Sequence, residues 1–289
     1  MRKEKYVDLL KEKFGDDVLR SMLDFENMKL NFGSAEERYS KINTKEIIKE
    51  FYPEVSLEND WSFDFPSWIG SLDFSKQNVK DIMVIGMEPH IRKEKISFQA
   101  TYGLRETAPN EFKELSNGNN PRLWNNLNAL FGSSDCYENR DFLSKFYVTD
   151  LSHFAVSGKA KEVNKIKDWP KTRNEISKKF LKREIEIINP KYIVSQGNAV
   201  ADFIDRMLDS WELEKNIKPQ DIEFGLLPER CKNTPVFKRF SLNGNKIIHL
   251  RLPHIASGNG NYFWIPAKKN AEIRKARLQV IRSIIESLK

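Results

Sequence analysis

Cysteine is scarce: Cys136 and Cys231 are the two in 289 residues. Two thiols are too few for a cysteine-held iron–sulfur cluster or a cysteine-only zinc site, and they offer no disulfide framework, so reduced thiols in an intracellular protein are expected. Long apolar runs are missing as well. The N-terminus, Met1-Arg2-Lys3-Glu4-Lys5, leads into a charged amphipathic segment instead of an apolar leader, and no stretch reaches membrane-spanning length. A cytoplasmic protein with no membrane partner is therefore expected. No G-x-G-x-x-G or Walker pattern follows a strand-like stretch, which removes support for a dinucleotide or P-loop binder. Internal repeats and low-complexity tracts are lacking too. Charge, in contrast, is plentiful and mixed: 48 Lys+Arg against 41 Asp+Glu leave a net charge of +7. That balance permits a polyanionic partner such as nucleic acid without requiring one.

The length allows a sizeable core in one main domain. From about Tyr6 to Lys49 the apolar residues Leu9, Leu10, Phe14, Val18, Leu19 and Met22 recur at helical spacing, which predicts a helical segment. Between Ser56 and Ser71, Trp61, Phe63 and Phe65 alternate before Pro66 and Gly70, as in a linker ending in a short strand, with core filling the simpler use of its aromatics. The resulting division is residues 1–75, helical segment and linker, and residues 76–289, an α/β domain.

Within that domain Ile82-Met83-Val84-Ile85 suits a strand buried on both faces, with Gly86 turning the backbone and Pro89 stiffening the exit. Ile91 to Ala108 reads as a long loop, and Pro121 starts a helix. Phe146 to Thr149 forms a second strand ending at Asp150, and Lys159 to Arg173 a basic loop broken by Pro170. A helix from Glu175 to Ile188, stopped by Asn189-Pro190, then a strand Lys191 to Gly197 and a helix Asn198 to Leu208 make an αβα unit of a parallel sheet. Glu212 to Thr234 shows little pattern. Strands flank the Asn243-Gly244 turn, and a basic helix runs from about Ala267 to Leu288.

Polar groups collect at the strand ends: Glu88, Asp150, Gln196 and His254. In open α/β sheets ligands bind at the carboxyl ends of strands, so an acid and a histidine on different ends can face one pocket.

The order and spacing of these features resemble the uracil-DNA glycosylase superfamily. Gly86-Met87-Glu88-Pro89-His90 is similar to its first motif, Ile185 to Gly197 to its helix and third strand, and Leu252-Pro253-His254 with the following Ser-Gly-Asn loop to its last motif. The resemblance covers roughly Asp81 to Leu288 and leaves the N-terminal segment unexplained. It implies a three-layer αβα sandwich with a central, mainly parallel sheet. It also implies an enzyme that flips a nucleotide out of duplex or single-stranded DNA and hydrolyses its N-glycosidic bond, with no cofactor and no metal. Under it, Glu88 falls at the water-activating position and His254 at the position that donates to the base O2. Gly86, Met87, Pro89 and His90 would line the base pocket, and either Phe98 or Tyr102 would stack on the base. Ser257, Gly258, Asn259, Asn261 and Lys268 would grip the DNA backbone.

Three departures bear on the substrate. Asp150 stands where the uracil enzymes carry an asparagine that both accepts from and donates to uracil; an ionised aspartate only accepts. That suits the exocyclic amine of cytosine, and a buried carboxyl can share a proton with the base N3. The alternative is that Asp150 caps the next helix or pairs with a lysine. His90 replaces a bulky tyrosine that blocks base C5, and Ile255-Ala256 follows His254 in place of Pro-Ser. Because ordinary cytosine is part of every genome, these changes lead to a 5-substituted cytosine as substrate, in a defence role like that of antiphage glycosylases, or in repair. Two other readings stand beside it: a uracil-excising repair enzyme, and a catalytically inactive DNA-binding or sensor module of the same fold.

Overall fold

The computed structural model describes residues 5, 8–9, 11–12, 61–63, 67–68, 81–87, 130–131, 146–151, 154–156, 169–208, 212–217, 237–242, 244–252 and 271–289. In chain order its elements are strands β1 (Trp61–Phe63), β2 (Ser67–Trp68), β3 (Ile82–Gly86), β4 (Phe146–Asp150) and β5 (Phe154–Val156), and helix α1 (Trp169–Ile188). Strand β6 (Tyr192–Gln196), helix α2 (Asn198–Leu208), strands β7 (Glu212–Ile217), β8 (Phe237–Leu242) and β9 (Asn245–Leu252), and helix α3 (Ala271–Ser287) follow. The class is α/β. Residue contacts gather Met1–Lys80, Gly86–Pro109 and Ser144–Asn189 into one compact unit, and Asp81–Ile85, Asn110–Leu143 and Pro190–Lys289 into a second. Both are discontinuous in sequence.

In the first unit the alternating aromatic stretch forms two short strands. β1 pairs antiparallel with β5, Trp61 opposite Val156, and β2 pairs antiparallel with β4, Ser67 opposite Val148. Helix α1 buries Ser177, Phe180, Leu181, Glu184, Ile185 and Ile188, a stripe at three-to-four spacing. It begins at Trp169, so Pro170 sits in its first turn and does not break a loop. Proline is favoured there because its missing N–H would have no intrahelical partner in any case. The helix stops at Asn189, which takes a left-handed φ of 51° and donates its N–H to the Ile185 carbonyl at 2.7 Å. Asparagine tolerates that conformation better than most residues, and Pro190 cannot continue a helix. Of the predicted N-terminal helix, the described residues Asp8, Leu9, Lys11 and Glu12 are helical; Leu9 is buried, and Glu12 pairs with Arg183 and Lys179 of α1.

In the second unit the strand order is β3-β6-β9-β8-β7. β3, β6 and β9 run parallel, whereas β8 pairs antiparallel with β9 and β7 antiparallel with β8, so the sheet is mixed. The two-residue Asn243-Gly244 connection explains the reversal: Leu242 pairs directly with Asn245, and Gly244 takes a φ of 78°, open to glycine without strain. Met83, Val84, Ile85, Ile193, Val194, Ile247 and Leu250 are fully buried. Each such side chain contributes about 1.5–3 kcal/mol relative to an exposed one, and together they make the continuous apolar reading of parallel strands. Lys238 and Arg239 are neighbours on β8 and so point to opposite faces. Lys238 reaches Asp205 of α2, and Arg239 donates to the Leu288 carbonyl beyond α3. The two helices therefore lie on opposite faces of these strands.

β7 fell in a stretch with no visible pattern. It is the outer strand of this order, with Leu213, Glu214 and Lys215 all exposed and a register shift between Leu213 and Lys215. A strand with little buried surface has no apolar alternation to display. Residues 91–108 lie outside the described residues, as does the helix expected after Pro121 except Leu130 and Phe131, which are helical.

Candidate functional site

Two predicted base-pocket positions meet at the ends of β3 and β4. The Leu151 N–H donates to the Gly86 carbonyl at 3.0 Å, so the last residues of the two strands lie side by side. Asp150 is buried, and its carboxylate rests over the Cα of Gly86: a Cβ built there would stand 2.1 Å from Asp150 Oδ1 and 3.3 Å from its Cγ. Gly86 is still in extended strand, and among the described glycines only Gly197 and Gly244 have positive φ. The sharp turn expected at Gly86 is thus not what requires glycine. Room for the Asp150 carboxylate is. The bend comes one residue later, at the half-buried Met87.

The backbone beneath Asp150 is held from the other side. Strand alternation puts Tyr147 and Thr149 on the face opposite Asp150. There the Tyr147 hydroxyl donates to Glu184 Oε1 of α1, and the Thr149 hydroxyl donates to the same oxygen at 2.9 Å. Ser177, two turns earlier on α1, donates to the Leu151 carbonyl at 2.7 Å. Glu184 is buried in an otherwise apolar stripe, and a carboxylate tolerates such a place when hydroxyls satisfy it. Glu184 falls on the three-to-four spacing of the stripe and the exposed Glu186 two residues on does not, but only the fold supplies its partners.

Of the other residues assigned by resemblance, Glu88, Pro89, His90, Phe98, Tyr102, His254, Ser257, Gly258, Asn259, Asn261 and Lys268 lie outside the described residues.

A second polar cluster, not anticipated from the sequence, is sealed within the second unit. His249 on β9 is fully buried; its Nδ1 lies 3.0 Å from Asp205 Oδ1 on α2 and its Nε2 lies 3.0 Å from Ser195 Oγ on β6. Lys238 approaches Asp205 Oδ2 at 2.7 Å, and Arg251 bridges Asp205 and Asp202, one turn apart on α2. Two acidic side chains thus face two basic ones around the ring. Burial pushes the His249 pKa down against the pull of Asp205, with Arg251 and Lys238 acting in the same downward direction. For Asp205, burial alone would raise the pKa, but hydrogen bonds and charge from His249 and Lys238 prevail and hold the carboxyl well below the usual carboxylate range.

The proton positions follow. An ionised Asp205 only accepts, so His249 carries its proton on Nδ1 and donates it there; the bare Nε2 then accepts from the Ser195 hydroxyl. Serine, histidine and aspartate stand in the hydrogen-bond order of a nucleophilic triad. Ser195 and His249, however, have no exposed surface, and Ser195 Oγ also lies 3.3 Å from the Leu250 carbonyl. No reacting group can be brought to that oxygen without opening the core, so the cluster ties α2 to β6, β8 and β9. The signal for it in the sequence is a histidine among apolar strand residues, with Asp202 and Asp205 at helical spacing and Arg251 two residues beyond the histidine.

Among the described residues no helix is long and apolar enough to cross a membrane. No protein-family model and no curated protein matches the chain.

Proposed function

We propose that this chain is a DNA glycosylase of the uracil-DNA glycosylase superfamily type, with the three-layer αβα arrangement of that group, acting on a 5-substituted cytosine in defence or repair. The observation that supports it is the contact of Gly86 with Asp150: a first-motif residue and the base-reading residue of the resemblance are spatial neighbours at strand ends. The mixed α/β sheet is compatible with the same reading. In this mechanism the target nucleotide leaves the stack, at a cost of about a few kcal/mol, because its glycosidic bond is otherwise out of reach. Glu88 orients and deprotonates water for attack at the sugar C1′ while the C1′–N bond breaks. His254 donates to the base O2, where negative charge grows as the base departs. Asp150 accepts from the exocyclic N4 amine, which cytosine has and uracil lacks.

The test is a panel of oligonucleotides carrying uracil, cytosine, 5-hydroxymethylcytosine and its glucosylated form, single- and double-stranded. Abasic product is expected on a cytosine-type base and is lost in Glu88→Gln and His254→Ala, whereas Asp150→Asn shifts product toward uracil. Absence of product on every oligonucleotide, with steeply salt-dependent DNA binding retained by both catalytic variants, would instead support a DNA-binding module.

A further inference from the structure

We infer that Gly86 is a specificity-setting position, whose missing Cβ fixes where the Asp150 carboxylate points. The base-choice part of this inference rests on the glycosylase reading above; the structural part does not.

An alanine at residue 86 would meet the Asp150 side chain and little else. Its backbone conformation is open to any residue, and the nearest backbone atom, the Thr149 carbonyl oxygen, is 3.9 Å from the added Cβ, an ordinary contact. The obstacle is one functional group, with Asp150 Oδ1 at 2.1 Å and Cγ at 3.3 Å. The Asp150 backbone has little freedom to retreat. Leu151 is held to Gly86 through its N–H and to Ser177 through its carbonyl, β2 pairs with β4 alongside, and Tyr147 and Thr149 are held by Glu184. An added methyl group must therefore be met by rotation of the carboxylate about its own side-chain bonds. Rotation turns its acceptor lone pairs to a new direction, and hydrogen bonds weaken steeply with misalignment. In this role Gly86 is a positioning residue, acting through Asp150.

The experiment combines Gly86→Ala, Asp150→Ala and the double variant in the full chain, read by urea unfolding and by cleavage of the oligonucleotide panel. Gly86→Ala is expected to lower the unfolding midpoint, and the same substitution is expected to have no effect in the Asp150→Ala background, because the obstructing group is gone. In the cleavage assay Gly86→Ala is expected to lower the ratio of cytosine-type to uracil-type product rates on the order of tenfold, the scale of one well-directed base contact. That ratio is insensitive to how much of the variant is folded, since the same molecules cut both substrates. Additive effects on unfolding, with the Gly86→Ala loss persisting undiminished in the Asp150→Ala background, would overturn the interlock. An active Gly86→Ala variant with unchanged base preference would overturn the specificity role alone. A wild-type chain that cleaves no oligonucleotide would overturn the glycosylase reading and the base-choice role with it, while the unfolding cycle would still decide the interlock.

Discussion

Two polar clusters among the described residues, at the ends of β3 and β4 and beneath α2, use their burial differently. Under α2, Asp205 answers His249, Lys238 and Arg251 together, so one carboxylate holds α2, β8 and β9 in register. At the end of β4 the buried acid occupies the room left by the absent Cβ of Gly86, and Glu184 fastens the reverse side of its strand. The first arrangement is closed, with a serine and a histidine that have no exposed surface. The second ends at a strand terminus, the part of an α/β sheet from which ligands are reached. A hydrogen-bond pattern that looks catalytic is thus the structural one, and the plainer contact between a glycine and an aspartate carries the functional reading.

The sharpest way to break this contrast is Asp205→Ala. It leaves two buried or half-buried cations and a histidine without their shared acceptor, and a loss of about 3–5 kcal/mol is expected in chemical unfolding. A loss below about 1 kcal/mol would mean that the cluster does not hold the sheet.

Glu184→Ala comes next. It takes a buried acceptor from both Tyr147 and Thr149, at a cost of about 1–3 kcal/mol. Glu184→Gln keeps a carbonyl oxygen in the same place and should cost clearly less. Equal losses in the two variants would show that charge, and not hydrogen-bond acceptance, is what β4 requires.

The smallest effect, and the one that separates the clusters by pH, belongs to His249. Its folded-state pKa is depressed, so between the folded and unfolded values the unfolded chain binds a proton that the native chain does not. Its contribution is fully present above the unfolded value of about 6.5 and declines as pH falls through the folded value, by at most ~1.4 kcal/mol per pH unit. Asp205, also depressed in the folded state, adds a second decline that starts below about pH 4, where the unfolded chain begins to take up its proton. Unfolding midpoints measured across this range should show both declines in wild type. His249→Gln should remove the upper one and keep the lower; persistence of the upper decline would assign it to another group.

Much of the scaffold was legible because its signals are local. Four apolar residues before Gly86, the Asn189-Pro190 stop and the Asn243-Gly244 turn each encode their conformation within a few residues, and β3, α1 and the β8–β9 hairpin follow. β7 was not legible, because an exposed strand of charged residues owes its place to pairing with β8 and not to any pattern of its own. Pro170 misled as a loop breaker, since proline marks the first turn of a helix as readily as the end of one.

The site shows the same division. Sequence alone determined that Gly86 and Asp150 stand at strand ends. Only the tertiary structure decided that they touch, that Gly86 is glycine for the sake of a neighbour's carboxylate and not for its own backbone, and that His249 is a core histidine with both ring nitrogens in hydrogen-bonding contact. The physical reason is range. Turns, caps and strand propensity are settled between residues a few positions apart, whereas steric exclusion and buried hydrogen bonds are settled between residues brought together from 44 and 54 positions away, as Asp205 and Ser195 are from His249.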